Sequence, residues 1–328
     1  MKDQFGRTID YMRVSVTDRC NLRCIYCMPA QGVPAVSHQD ILTYDEITRL
    51  CRIGAELGIR KLKLTGGEPL VRRGLPELVR MLKEIPGIEQ VTLTTNGTLL
   101  KQQIRDLVIS GLDAVNISID TLDPEKYRKV TRLGDVREAV EGLKAACEIP
   151  GLKVKVNCVP LEGAEEEDYI RIARLAKDGR SDVRFIELMP MGPGKAFTGK
   201  SGTKVRSLLK ETFGEPKSCE ENPGNGPAVY VTFPGFRGKI GFISAITHPF
   251  CCRCNRIRLT SEGFLKPCLQ YGEGTDLRLL LRSGANDALI QNAMKNAVYG
   301  KPACHQFTKS SQEEQENLET KEMSRIGG

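Results

Sequence analysis

Two periods alternate along the first two-thirds of the chain. Short stretches repeat apolar and polar residues with period two, as a strand does, and longer stretches between them repeat at helical spacing. The strand-like stretches are 10–16, 61–65, 90–95, 114–119, 153–159 and 182–188. The first helix opens at Thr43-Tyr44-Asp45-Glu46, where Thr43 is a good N-cap and Glu46 completes a capping box. Its apolar face runs through Ile47, Leu50, Cys51, Ala55 and Leu57, and Gly58 ends it. Further helices are predicted near 75–85, 101–110, from Asp123 onward, and at 136–148, 165–177 and 205–213. Strand–helix alternation implies a parallel sheet with right-handed crossovers. About six such units favour an α/β fold built as an incomplete, TIM-like (β/α)6 barrel over a closed eight-fold one.

The strands depart from the usual barrel pattern. Parallel strands covered by helices normally read apolar on both faces. Here Lys61 and Lys63 alternate with Leu62 and Leu64, and Thr92, Thr94 and Asn96 share one face. The same holds for Asn116, Ser118 and Asp120, for Lys153, Lys155 and Asn157, and for Arg184 between Val183 and Phe185. Successive side chains point to opposite faces. If the apolar set meets the helices, the polar set lines a wide, hydrogen-bonding and cationic lumen.

The pattern changes after residue 213. Residues 216–227 are polar and rich in glycine and proline, as in a linker, and 229–233 and 239–243 read as a strand pair. Helical spacing returns at 277–282 and 286–298; residues 309–325 are strongly polar and read as partly mobile, ending in Gly327-Gly328. On the residues alone that terminus is a frayed end. The division expected is 1–217 for the barrel and 218–328 for a smaller C-terminal α+β domain that covers the barrel opening.

Composition adds chemistry to this outline. Twelve cysteines with no basic-then-apolar leader and no bilayer-length apolar run point to metal or redox chemistry in a cytoplasmic protein rather than to disulfides. The net charge of +7 suits an anionic ligand, while 5% aromatic residues and no tryptophan leave no evident base-stacking platform. Cys20, Cys24 and Cys27 form a local triplet on the loop after the first strand. Three thiolates can hold a four-iron cube and leave one iron open to a chelating ligand; zinc, which takes two separated pairs more often, is the rival. Cys251, Cys254 and Cys268 form a second set of three, with adjacent Cys252 as a fourth donor if the metal were zinc. Arg256 and Arg258 then lie on one face of an extended segment beside that second set.

The cysteine triplet followed by Thr65-Gly66-Gly67-Glu68-Pro69 at a strand end resembles the radical S-adenosylmethionine (SAM) superfamily. Further motifs in order resemble the GTP 3',8-cyclase family of molybdenum cofactor biosynthesis over nearly the whole chain. They are Thr17-Asp18-Arg19-Cys20-Asn21, Thr94-Thr95-Asn96-Gly97, Asn116-Ile117-Ser118-Ile119-Asp120, Val183-Arg184-Phe185-Ile186-Glu187 and Cys254-Asn255-Arg256-Ile257-Arg258. The resemblance implies two [4Fe-4S] clusters and SAM as cofactors. The first cluster would pass an electron to SAM, and the resulting deoxyadenosyl radical would abstract hydrogen from the ribose 3' carbon of GTP, which then closes onto C8 of guanine. It assigns Tyr26, Gly67, Ser118 and Met189 to SAM, and Arg13, Lys63, Thr94, Lys155, Arg256 and Arg258 to GTP. It also implies that the second cluster binds the guanine ring and that the Gly-Gly end reaches into the site. Lys63 stands where the family more often has arginine, and lysine lacks the bidentate fork. The implied partners are a low-potential electron donor and a downstream cyclic pyranopterin monophosphate synthase, with no nucleic acid and no membrane; a homodimer stays open. The competing functions are a radical SAM enzyme that matures a peptide, with an auxiliary cluster, and a zinc-stabilised nucleic-acid-binding protein.

Overall fold

The computed structural model describes residues 1–219, 224–307 and 318–327. Six strand–helix units form in the order expected. The strands are β1 (Tyr11–Ser15), β2 (Lys61–Thr65), β3 (Gln90–Thr95), β4 (Ala114–Ser118), β5 (Lys153–Cys158) and β6 (Asp182–Ile186). The helices are α1 (Tyr44–Glu56), α2 (Leu75–Lys83), α3 (Leu100–Ile109), α4 (Pro124–Thr131), α5 (Val136–Cys147), α6 (Glu166–Arg174) and α7 (Gly202–Phe213). The start of α1 obeys the local rule. Thr43 accepts from the Glu46 amide at 3.1 Å, and Glu46 accepts from the Thr43 amide at 2.8 Å.

Beyond residue 217 the strands join the barrel sheet rather than a second one. Strands β7 (Lys217–Ser218), β8 (Val229–Thr232) and β9 (Ile240–Ile243) continue one edge of the barrel sheet, with β9 parallel to β6. Strands β10 (Arg256–Leu259), β11 (Phe264–Lys266) and β12 (Thr275–Asp276) continue the other, with β10 parallel to β1. One sheet of 12 strands results, ordered β12-β11-β10-β1-β2-β3-β4-β5-β6-β9-β8-β7, and its two ends do not pair. The predicted pair 229–233 and 239–243 is present as β8 and β9, but it completes the barrel sheet instead of forming another. Helices α8 (Leu277–Arg282), α9 (Asp287–Tyr299) and α10 (Met323–Ile326) follow. Within the expected linker, whose residues 220–223 lie outside the described residues, Gly224 to Pro227 line the interior cavity, and the Asn225 amide donates to Gln90 at 2.5 Å. The polar stretch 308–317 and Gly328 lie outside the described residues.

The alternation in the strands resolves as two environments. Leu62, Leu64, Val91, Leu93, Val115, Ile117, Val154, Val156, Val183 and Phe185 are buried against the helices. Each such side chain contributes roughly 1.5–3 kcal/mol by leaving water, so the register is strongly fixed. The polar positions consequently face the other way, and one cavity of about 1320 Å3 receives them except Lys61, which pairs with Asp10 at 2.9 Å instead.

Candidate functional site: two cysteine triads across a cationic cavity

The first triad hangs on the loop after β1. Arg23 and Ile25 donate their amides to the carbonyls of Thr131 and Val130 at 3.0 and 2.9 Å, tying the loop to the end of α4. Arg132 follows with a left-handed backbone (φ 63°), and its guanidinium donates to the carbonyls of Arg23 and Met28. Across the loop, Asn96 donates to Asn21 at 2.9 Å. The strand end beside it must be glycine, because a Cβ at Gly67 would collide with the Arg19 carbonyl. Glu68 is buried and accepts from the Thr95 hydroxyl and from the amides of Leu70 and Asn96. Burial pushes its carboxyl up to about 7 despite those bonds. Tyr26 donates to Asp120 at 2.6 Å, which fixes its ring at the cavity wall.

The cavity wall between the triads is a grid set by strand register. Arg13 on β1 lies between Arg258 on β10 and Lys63 on β2. Thr94, Asn116 and Lys155 are register partners on β3, β4 and β5. Ser118 pairs with Asn157, whose side chain accepts from Arg184 at 2.9 and 2.6 Å. Arg256 lies two residues before Arg258 on the same face of β10 and stacks its guanidinium 5.0 Å from the Phe250 ring. These cations oppose one another. Burial, then Arg184, Arg13 and Lys155, hold the Lys63 ammonium well below its ordinary value. Burial and Arg184 lower Lys155 to about 8, and burial, Arg13 and Arg256 lower Arg258. Mutual repulsion of this kind is relieved by a bound anion, so the wall suits a polyanion.

The second triad borders the same cavity. Cys251 and Cys254 flank a short helical turn, and Cys268 follows β11. All 16 residues assigned from the sequence line this one cavity: Cys20, Cys24, Cys27, Tyr26, Gly67, Ser118, Met189, Arg13, Lys63, Thr94, Lys155, Arg256, Arg258, Cys251, Cys254 and Cys268. Arg184, expected in the lumen from its strand position, joins them. Asp120, expected on the polar face with Ser118, also lines it, as do Glu68, Lys301 and His305, which the strand pattern does not mark. Glu68 sits inside a quoted motif, whereas no local signal marks Lys301 or His305.

The donor chemistry fits iron–sulfur clusters. All twelve cysteines are free. Burial pushes Cys20 up to about 11 and Cys27 up to about 12, and raises Cys24 well above its ordinary value. Such thiols become thiolates when a metal replaces the proton. Among the described residues no three His, Cys, Asp or Glu side chains converge tightly enough for a single ion. Thiolates around an iron–sulfur cube stand farther apart than those around one ion. The chain terminus joins both ends: the Ser324 amide faces the Cys27 sulfur, and Arg258 donates to the Gly327 carbonyl. Gly327 thus meets Arg258 of the cavity wall, and the frayed end expected from the residues alone is not what residues 318–327 form.

Residues 14–176 match the radical SAM superfamily, and residues 181–307 match the family described as molybdenum cofactor synthesis C. The GTP 3',8-cyclase of Clostridium perfringens is 41% identical over 331 residues, covering all of both chains. That of Heliobacterium modesticaldum is 45% identical over 332 residues with the same coverage. Among solved structures, Streptococcus suis SuiB bound to S-adenosylmethionine superposes with a TM-score of 0.60 at 15% identity, over 88% of this chain and 68% of that one. That likeness concerns the fold.

Proposed function

Because this chain belongs to the GTP 3',8-cyclase family of radical SAM enzymes, we propose that its cavity seats SAM against the first triad and GTP between the triads. The reaction is the family's: cyclisation of GTP to (8S)-3',8-cyclo-7,8-dihydroguanosine 5'-triphosphate at the start of molybdenum cofactor biosynthesis. The observation that carries the reading is one cavity bordered by two sets of three free thiols with buried, mutually repelling cations between them.

When bound, a [4Fe-4S] cluster on Cys20, Cys24 and Cys27 supplies the electron, and SAM supplies the carbon radical, that start the chemistry. The protein's own contribution is positioning and protection. Asp120, and Glu68 when a cation beside it draws out its proton, would suit the sulfonium and ammonium of SAM, with Tyr26, Gly67, Ser118 and Met189 as its contacts. Arg13, Lys63, Thr94, Lys155, Arg256 and Arg258, with Arg184, would bind the triphosphate, and anion binding relieves their repulsion. Cys251, Cys254 and Cys268 would hold the second cluster near the purine. No side chain is needed as acid, base or nucleophile; strand walls and terminus keep stray hydrogen donors from a carbon radical.

We read residues 1–217 as the catalytic barrel and 218–328 as the part that completes its edges and closes its opening. A low-potential electron donor and a downstream cyclic pyranopterin monophosphate synthase belong to the same reading, in the cytoplasm. No helix among the described residues is long and apolar enough to cross a membrane. The decisive experiment incubates anaerobically reconstituted protein with SAM, GTP and a reductant. The cyclised triphosphate and stoichiometric 5'-deoxyadenosine are expected; deoxyadenosine formed without loss of GTP would refute the assignment.

A further inference from the structure

The second triad is assembled from two separate segments, and something must hold those segments in register. Lys301, just after α9, is 2% exposed. Its ammonium donates to the Arg256 carbonyl at 2.9 Å and to the Pro267 carbonyl. Arg256 lies two residues after Cys254, and Pro267 immediately precedes Cys268. One ammonium therefore bridges the two backbone stretches that carry these thiols. The following residues reach the third. The Cys251 carbonyl and the Ala303 carbonyl accept from one nitrogen of Arg7, at 2.8 and 2.9 Å, and the His305 amide faces the Cys251 sulfur at 3.5 Å. The His305 ring donates from Nε2 to the Ala245 carbonyl at 2.7 Å, which anchors this stretch a second time.

Lys301 is also a charge without a carboxylate. Its hydrogen-bond partners among the described residues are the two carbonyls, and it forms no ion pair with Asp or Glu there. A buried ammonium is expensive unless a negative group lies near. The neighbour is sulfur: Lys301 bonds the backbone two residues after Cys254 and the backbone immediately before Cys268. A cluster held by three thiolates is the counter-charge this arrangement lacks.

We propose that Lys301 is a positioning residue of the second cluster, clamping the Cys254 and Cys268 segments together and placing a fixed positive charge beside the metal site. This rests on reading the second triad as a cluster site. A fixed cation stabilises the more negative, reduced form of a cluster, so removing it moves the potential downward.

Two variants of the full chain, reconstituted anaerobically, separate clamp from charge. K301Q keeps N–H donors for both carbonyls and loses the charge; K301M loses both. Iron per chain, the rate of iron release to a chelator, and the reduction potential of each cluster by electron paramagnetic resonance are measured. Wild type should hold about eight irons. K301Q should show a more negative potential at the second cluster with the first unchanged, and K301M should release second-site iron several-fold faster. Selective emptying of the second site in both variants would also support the proposal. Wild-type release in K301M together with a wild-type potential in K301Q would overturn it, as would loss of both clusters, which marks a general folding role. If wild type itself holds a single cluster, the underlying two-cluster reading fails, and that result is distinct.

Discussion

The two cysteine triads have the same number of donors and opposite surroundings. The first lies on one loop, beside Glu68 and Asp120, and burial raises all three of its thiols. The second comes from two segments joined through Lys301, and the net shift of Cys254 is downward because Lys301 and Arg256 outweigh burial. Between them the wall carries Lys63, Lys155, Arg13 and Arg258. The difference teaches that charge is local to each triad, with acids acting on the first and cations on the second. On the proposed reading, a sulfonium cofactor would take the first end and a phosphate-rich substrate the cationic wall.

The largest test of this division removes one triad at a time. Cys24→Ala should abolish SAM cleavage, measured as 5'-deoxyadenosine, while leaving second-site iron in place. Cys268→Ala should do the reverse, keeping SAM binding but losing GTP cyclisation; normal turnover of GTP in that variant would erase the distinction between the ends. A smaller effect is expected from the wall. Lys63→Met should weaken GTP binding about 10- to 100-fold, or about 1.4–2.8 kcal/mol by calorimetry. The same change should raise the thermal stability of the ligand-free protein by about 1 kcal/mol, since it removes a repelled buried cation. Equal loss of SAM affinity would break that division.

The pH dependence sharpens it further. Lys155 is lowered to about 8 in the free protein, so its charge penalises the fold below that pH and the penalty fades as pH rises past it. A bound triphosphate raises that value again. GTP affinity should therefore fall above about pH 8, and Lys155→Met should flatten the profile. Glu68 has the opposite sign of consequence. Its carboxyl is raised to about 7, so the ligand-free fold loses stability, roughly 3 kcal/mol at most, as pH climbs from the ordinary carboxylate range through 7. SAM binding should recover part of that loss. The smallest change should come from Lys63→Arg, which keeps the charge and adds the fork, altering GTP affinity by only a few-fold.

The first end was far more legible in the sequence than the second. The bounds of β2 and β3 match their period-two stretches, and the capping box fixed the start of α1. The Cys20-Cys24-Cys27 loop needs only neighbours in the chain, so its spacing announced it. The lumen also followed, because alternation of Lys63, Thr94 and Lys155 with apolar residues is a local pattern. The second end depends on distant pairings. Arg256 to Leu259 is a four-residue stretch whose parallel partner, β1, lies more than two hundred residues earlier. Arg7, Lys301 and His305 reach Cys251 and Arg256 from both ends of the chain, and isolated basic residues in polar surroundings carry no sign of such contacts. The C-terminal strands read as a separate unit for the same reason: edge pairing leaves no mark on composition.

The order of the sheet bears on how the molecule is made. During synthesis, β1 and β6 emerge long before β10 and β9, which cap them. A ribosome-bound chain stopped after β6 would carry two bare parallel edges flanking a basic hollow, an invitation to pair with other nascent chains. Chaperone engagement should consequently be greatest in that interval and should end once β10 docks, making the final third of translation the step at which yield is decided.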